Sequence, residues 1–427
     1  GFAMPYMRNL IYLLLLTLLL PWLVLSAITK GKYRQGFAQK FLGLVPRLPG
    51  AGVDSSQRRI WLHAVSVGEV NLLQPVLQEL EQRYPDWECV ISTTTKTGYE
   101  LARQKYSPRT IFYCPLDFSW AVKSALRRIQ PDLFILIELE LWPNLIHYAS
   151  RGCPVAIING RLSENSAKGY RRLGWMIRPT IKKLKHIAVQ NEQYAQRFFE
   201  IGATREQVTV TGSIKFDGAE SDRHNEKTRQ LQELASIQQQ DVVLLAGSTQ
   251  VEEEKLCLQT FAKYYETYPQ LKLILVPRHP ERFDEVAKLC DQSKIPYHRR
   301  SDLSDNSPSD SRLLLVDVIG ELGAWWGLTD IALVGGSMGS RGGQNMIEPA
   351  AYGAAVCFGP HTWNFKDIVE LLLHHKAAKV INSAEQFEEF LRWNIESPED
   401  AAEMGTTAAQ LVATQQGATR RTVDILS

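Results

Sequence analysis

The chain has 427 residues, 44% of them hydrophobic and 22% charged, enough for two domains of ordinary size, each with its own core. Its 48 Lys and Arg against 46 Asp and Glu leave a net charge of +2, so it lacks the overall basic field of a nucleic-acid binder. Six cysteines at positions 89, 114, 153, 257, 290 and 357 show neither the paired spacing of a zinc site nor the density of a disulfide scaffold, which points to a reducing, cytoplasmic setting.

In chain order, the first feature is Leu10 to Ile28, nineteen residues without a charge, long enough to span a bilayer. Lys30, Lys32, Arg34 and Lys40 follow it, against Arg8 in front. The positive-inside bias therefore assigns the rest of the chain to the cytoplasm. A cleaved signal peptide is the rival reading, but Leu25-Ser26-Ala27 is a poor cleavage site, so a retained anchor over residues 1–30 is expected. Beyond it, short apolar runs alternate with amphipathic stretches, the pattern of parallel, doubly wound α/β sheets. Strands are expected at Ile60 to Val65, Cys89 to Thr93, Thr110 to Cys114, Leu133 to Ile137, Val155 to Ile158, His186 to Val189 and Val208 to Val210. The polar run Gly218 to Gln240 then interrupts the pattern. A second series begins at Val242 to Leu245 and continues through Leu271 to Val276, Leu313 to Val316, Ile331 to Val334, Ala355 to Phe358 and Ala378 to Val380. The expectation is two Rossmann-like domains, 31–217 and 218–427, facing across a cleft with ligands at the carboxyl ends of the strands.

Several residues near those strand ends carry chemistry. Gly68 and Glu69 follow the first strand, with Glu69 at a helix start; it either faces the cleft or complements the helix dipole. Glu138 and Glu140 follow the very apolar strand Leu133 to Ile137. Continued strand alternation puts both acids on one side, and either of them is a candidate to act. In the second half, Arg278 suits phosphate or carboxylate, and His279 is wedged between Arg278 and Pro280. Gly342 and Gly343 permit close backbone approach ahead of a helix start near Asn345, with Glu348 one turn in, where its carboxylate can accept from ribose hydroxyls. Neither a Rossmann dinucleotide fingerprint nor a P-loop is present. With no Asp-x-Asp in the chain, no metal and no other cofactor is expected. The segment Lys168 to Lys185 carries seven cations, among them Arg171, Arg172 and Lys182, and no acid, interleaved with apolar residues. It suits an anionic membrane surface.

Five stretches taken together, His63 to Val70, Glu138 to Asn144, Thr211 to Asp217, Pro277 to Arg282 and Gly342 to Ala350, resemble the Kdo (3-deoxy-D-manno-octulosonic acid) transferases, and the likeness runs through essentially the whole chain, anchor included. The resemblance implies a GT-B glycosyltransferase of lipopolysaccharide biosynthesis, seated on the cytoplasmic face of the inner membrane by its N-terminal anchor. Its partners would be CMP-Kdo, a lipid A precursor and inner-membrane lipid, and no nucleic acid. It implies inverting transfer without metal, with Glu69 as general base and Glu138 and Lys215 as transition-state stabilisers. By the same similarity, Arg278, His279, Ile319, Gly320, Glu321, Asn345, Met346, Ile347 and Glu348 would form the CMP site. A UDP-sugar transferase, a sugar epimerase of the same shape and a silent nucleotide-binding scaffold are the alternatives; CMP binding with turnover on a lipid acceptor separates them.

Overall fold

The structure, a computed structural model, describes residues 3–30, 35–50 and 57–427. Lys32 and Arg34, counted among the cations flanking the anchor, lie outside them. The chain forms two compact units, Gly1–Asp217 with Gln416–Ser427, and Gly218–Gln415.

The first unit is built on seven parallel strands: β1 (Arg59–His63), β2 (Glu88–Thr93), β3 (Ile111–Tyr113), β4 (Leu133–Ile137), β5 (Val155–Gly160), β6 (His186–Val189) and β7 (Val208–Val210). They lie in the order β3-β2-β1-β4-β5-β6-β7. Every residue of β1, β4 and β5 is buried, because helices cover both faces of a parallel sheet; these strands therefore read as near-continuous apolar runs. The helices that matter below are α1 (Met4–Lys30), α2 (Phe37–Leu42), α3 (Val67–Arg83), α4 (Lys96–Tyr106), α5 (Ser119–Ile129), α6 (Pro143–Ala149), α7 (Glu164–Arg172) and α8 (Gly174–Ile181). One core gathers Trp61, Phe112, Phe134 and Leu136, and the opposite face gathers Leu62, Ile91, Ile135, Val70 and Leu73. Among the described residues one helix, over Met4–Thr29, is long and apolar enough to cross a membrane.

The second unit repeats the plan with β8 (Val242–Thr249), β9 (Leu271–Pro277), β10 (Tyr297–Arg299), β11 (Leu313–Leu315), β12 (Ile331–Val334), β13 (Ala355–Phe358) and β14 (Ala378–Val380). The order is β10-β11-β9-β8-β12-β13-β14. The doubly wound α/β class expected from the sequence is what both units have. This unit ends at Gln415, short of the residue 427 expected for the second domain. The cause is Asp217, whose Oδ1 accepts from Gly417 N at 2.7 Å and whose Oδ2 accepts from Thr419 N and Oγ1, each at 2.6 Å. With Ala418 and Val423 fully buried beside Leu73, the last helix is part of the first core.

Candidate functional site

The first sheet reverses its direction of growth between β1 and β4; in the second the corresponding place is between β8 and β12, with β11 inserted between β9 and β10. At such a switch point the loops leaving the two strands diverge and open a crevice beyond their carboxyl ends.

In the first unit both loops carry acids. β1 runs through Ala64–Ser66 into α3, with Glu69 in its first turn. The Val65 N–H donates to Glu69 Oε2, and the space a side chain would take at Gly68 is empty to 4 Å. After β4, Glu138 adopts φ +63°, a left-handed conformation that costs a non-glycine residue roughly 1 kcal/mol or more. The backbone turns there, so the strand alternation expected through Glu140 stops at Ile137. Leu139 packs against the core, and Glu140 accepts a hydrogen bond from Trp142 Nε1. Burial pushes the Glu69 carboxyl up to about 7; the Glu138 and Glu140 charges add to this while the Val65 and Ser66 N–H groups oppose it. Burial likewise lifts Glu140 to about 7, opposed by the Trp142 hydrogen bond and reinforced by Glu138. Three carboxylates thus stand close together beyond β1 and β4, and burial readies Glu69 and Glu140 to take up or release a proton near neutral pH.

Lys215 lies in the 3-10 turn Ile214–Phe216 after β7. Although β7 is an edge strand, this turn is drawn back towards the acids. Asn159, at φ +51° near the end of β5, accepts at Oδ1 from Ile214 N at 2.9 Å, and Ile214 is buried among Val70 and Leu73 of α3. Asn159 is fully buried, yet its Nδ2 has no hydrogen-bond partner among the described residues. The sequence reading passed over Asn159 and also Asp117. The latter, rather than Glu138 or Glu140, satisfies the start of α6, accepting from Asn144 N at 3.0 Å and Leu145 N at 2.7 Å. Asn followed by Gly at a strand end was the one visible signal for the first; the second had none.

In the second unit Arg278 and His279 follow β9, Arg278 exposed and His279 half-buried with Nδ1 3.8 Å from Glu281. Ile319 is 74% exposed and Gly320 has φ +92°. Glu321 is gripped by the Arg300 fork at 3.0 and 2.9 Å, which makes it part of the frame. Asn345 is exposed and its Oδ1 accepts from Ile347 N at 2.9 Å. Met346 and Ile347 are 0 and 1% exposed, so neither presents a side chain at the surface. The helix expected near Asn345 starts at Ile347, which puts Glu348 in its first turn. Glu348 lines a pocket of about 310 Å³ with Asn225, Gly323 and Tyr352, and burial raises its carboxyl above the ordinary value. Gly342, at φ +82°, sits against the protein's own Trp363, whose Nε1 would be 2.5 Å from an added Cβ. Two buried acids that the sequence reading passed over brace this side. Glu253 accepts from Ser337 N, Met338 N and Gln250 N at 3.0, 3.1 and 3.0 Å. Glu254 takes Arg282 bidentately at 2.6 and 3.1 Å. Among the described residues no group of three or more His, Cys, Asp and Glu is arranged to hold a metal ion.

The basic segment is split over α7 and α8. Arg171, Arg172 and Lys182 are exposed beside exposed Leu173 and Trp175. Acids from outside the segment offset part of its charge: Glu200 pairs with Arg171, and Glu164 lies 3.2 Å from Lys168.

The family model for 3-deoxy-D-manno-octulosonic-acid transferase matches residues 34–218. A 3-deoxy-D-manno-octulosonic acid transferase of Haemophilus influenzae is 33% identical over 416 residues, covering 96% of this chain and 95% of that protein. Among solved structures, UDP-GlcNAc 2-epimerase of Neisseria meningitidis superposes with a TM-score of 0.57 at 15% identity, covering 86% of this chain and 99% of that one. A glycosyltransferase of Rickettsia africae gives 0.55 at 11%, covering 86% and 97%; these two share the fold. The sheet topology is therefore that of the GT-B fold, and the chain belongs to the 3-deoxy-D-manno-octulosonic acid (Kdo) transferase family of glycosyltransferases.

Proposed function

We propose that the protein transfers Kdo from CMP-Kdo to a lipid A precursor in lipopolysaccharide biosynthesis, with inversion and without metal, at the cytoplasmic face of the inner membrane. The observation that carries the catalytic reading is Glu69 at the switch point of the first sheet, its carboxyl raised to about 7 by burial. A base of that pKa is ionised in half or more of the molecules at neutral pH and still strong enough to accept a proton.

In this reading the acceptor hydroxyl gives its proton to Glu69 as its oxygen bonds the anomeric carbon of Kdo. The bond from that carbon to the phosphate oxygen breaks, and CMP leaves with the electron pair. Glu138 favours the oxocarbenium-like centre, and its left-handed backbone is the kind of strain that persists where function over-determines geometry. Lys215 balances the departing phosphate or the carboxylate of Kdo. CMP carries a single phosphate, so Arg278, His279 and backbone N–H groups suffice for it. Residues 319–321 and 345–348 complete the nucleotide site, with Glu348 in its pocket as acceptor for ribose hydroxyls. Exposed Arg171, Arg172 and Lys182 meet the acceptor's phosphates and anionic lipid, and the apolar helix α1 holds the enzyme at the membrane.

Detergent-solubilised protein incubated with CMP-Kdo and lipid A precursor should yield CMP and a lipid heavier by one or more Kdo residues on mass spectrometry, equally well in EDTA. Release of CMP only when a divalent ion is restored would refute metal independence, and no lipid product would refute the acceptor.

A further inference from the structure

The start of α1, and α2 beyond its far end, are fastened to one short stretch of the first unit. Near its start, Asn9 Nδ2 donates to Ser119 Oγ at 2.6 Å and Ser119 N donates to Asn9 Oδ1 at 2.9 Å. Asn144 Nδ2 donates to the same Asn9 oxygen at 3.1 Å, and the Tyr12 hydroxyl donates to Asp117 Oδ2 at 2.5 Å. Arg8, Asn9 and Asp117 are 2, 7 and 6% exposed. Undocking would leave a buried Asp117 without one of its donors and carry Arg8 away from its counter-charge, a costly separation. Past the other end of α1, Gly36 lies so close to the Tyr113 ring that an added Cβ would sit 2.2 Å from it. Tyr113 N donates to Gln39 Oε1 at 2.7 Å and Leu116 N to Lys40 O at 2.8 Å. Tyr12 is thus tied to Asp117, and Gln39 to Tyr113, four residues away.

A helix that crosses a bilayer has its ends on opposite sides of a hydrocarbon core about 30 Å thick. From Lys30 to Gly36 the chain reaches roughly 21 Å at most, so the far end of α1 stays near the unit that holds its start. The part not engaged in docking, Leu13 to Ile28, is about 24 Å long at the helical rise, short of that thickness. It is apolar and open nearly all round: Leu14, Leu15, Leu18, Leu19, Leu20 and Trp22 are each 50 to 77% exposed, while Leu16 and Leu23 are half-buried.

We infer that α1 lies in the plane of one leaflet, with both ends on the side of the folded unit. The inference rests on the membrane-anchor reading above and replaces the spanning geometry expected from length alone. An in-plane helix satisfies its backbone internally and binds by apolar area plus attraction of flanking cations to acidic headgroups.

The test uses full-length protein with Tyr6→Cys on the helix start or Glu100→Cys on α4, both exposed sites; all six native cysteines are buried. In spheroplasts, an impermeant maleimide should treat the two positions alike, labelling both only after the membrane is broken. Labelling of Tyr6→Cys but not Glu100→Cys in intact spheroplasts would overturn the in-plane helix. In vesicles of brominated phosphatidylethanolamine and phosphatidylglycerol, fluorophores at Leu14→Cys, Leu18→Cys and Leu25→Cys should report one shallow depth, and a steady progression through the bilayer centre would overturn it again. Protein that leaves the membranes in alkaline carbonate without detergent would refute the anchor reading itself, a separate result.

Discussion

At the first switch point, Glu69 and Glu140 take hydrogen bonds from the Val65 N–H and the Trp142 indole and stand beside Glu138. In the second unit, Glu254 and Glu321 are each held by an arginine fork, and Glu253 by three backbone N–H groups. Both sheets have a switch point, though their strand orders differ, and these two groups of acids sit in opposite company. A desolvated carboxylate among like charges has a raised pKa and is ready to exchange a proton. One gripped by a guanidinium is engaged in holding a loop, and that loop presents Arg278, glycine turns and backbone donors suited to an anion. On the proposed function, proton transfer belongs to the first unit and nucleotide recognition to the second.

Removing the first partner of that contrast should have the largest effect. Glu69→Gln is expected to lower turnover by about 100-fold or more, the usual scale for a lost general base, with CMP affinity and thermal unfolding unchanged. If Glu69→Gln turns over normally while a folded Glu138→Gln is inactive, the two roles exchange. Next comes the scaffold. Arg282→Ala strands Glu254, which is fully buried, and should cost about 3 kcal/mol of stability in a denaturant titration; a loss below 1 kcal/mol would remove the distinction drawn between the two groups of acids.

These acids also show how far the sequence could be read. The strands Leu133–Ile137, His186–Val189, Val208–Val210, Ile331–Val334, Ala355–Phe358 and Ala378–Val380 agree with the expectation to the residue; all but the last are followed directly by a polar residue or glycine. β10 went unseen, since Tyr297-His298-Arg299 is a half-exposed edge strand with no apolar run. Candidate acids were legible because they directly follow strands. Their company was not: the partners of Glu254 and Asp117 lie 28 residues away or at similar range, and no local pattern encodes such pairings. Docking of the α1 start on Ser119 and Asp117 spans more than a hundred residues, so no local pattern announced it.

Smaller effects sharpen the contrast further. Arg278→Ala should weaken CMP-Kdo binding by roughly 10- to 100-fold, the value of a charge-assisted phosphate contact, measured by calorimetry; unchanged affinity would move the nucleotide elsewhere. Glu140→Gln removes a negative charge that raises the Glu69 pKa, so the acid limb of the pH–rate profile should move to lower pH, with less than about tenfold change on the plateau. A limb that stays in place would show that Glu140 does not act on the titrating group.

The pH dependence of kcat/KM, which reports ionisations of the free enzyme, tests the central assignment most directly. Protonated Glu69 has no lone pair for the acceptor's proton, so the wild-type rate should fall tenfold per unit of pH below a midpoint near 7 and level off above it. In Glu69→Gln the residual rate should lose that limb. A limb with the same midpoint in Glu69→Gln, or a wild-type rate flat from pH 5 to 8, would contradict Glu69 as the base.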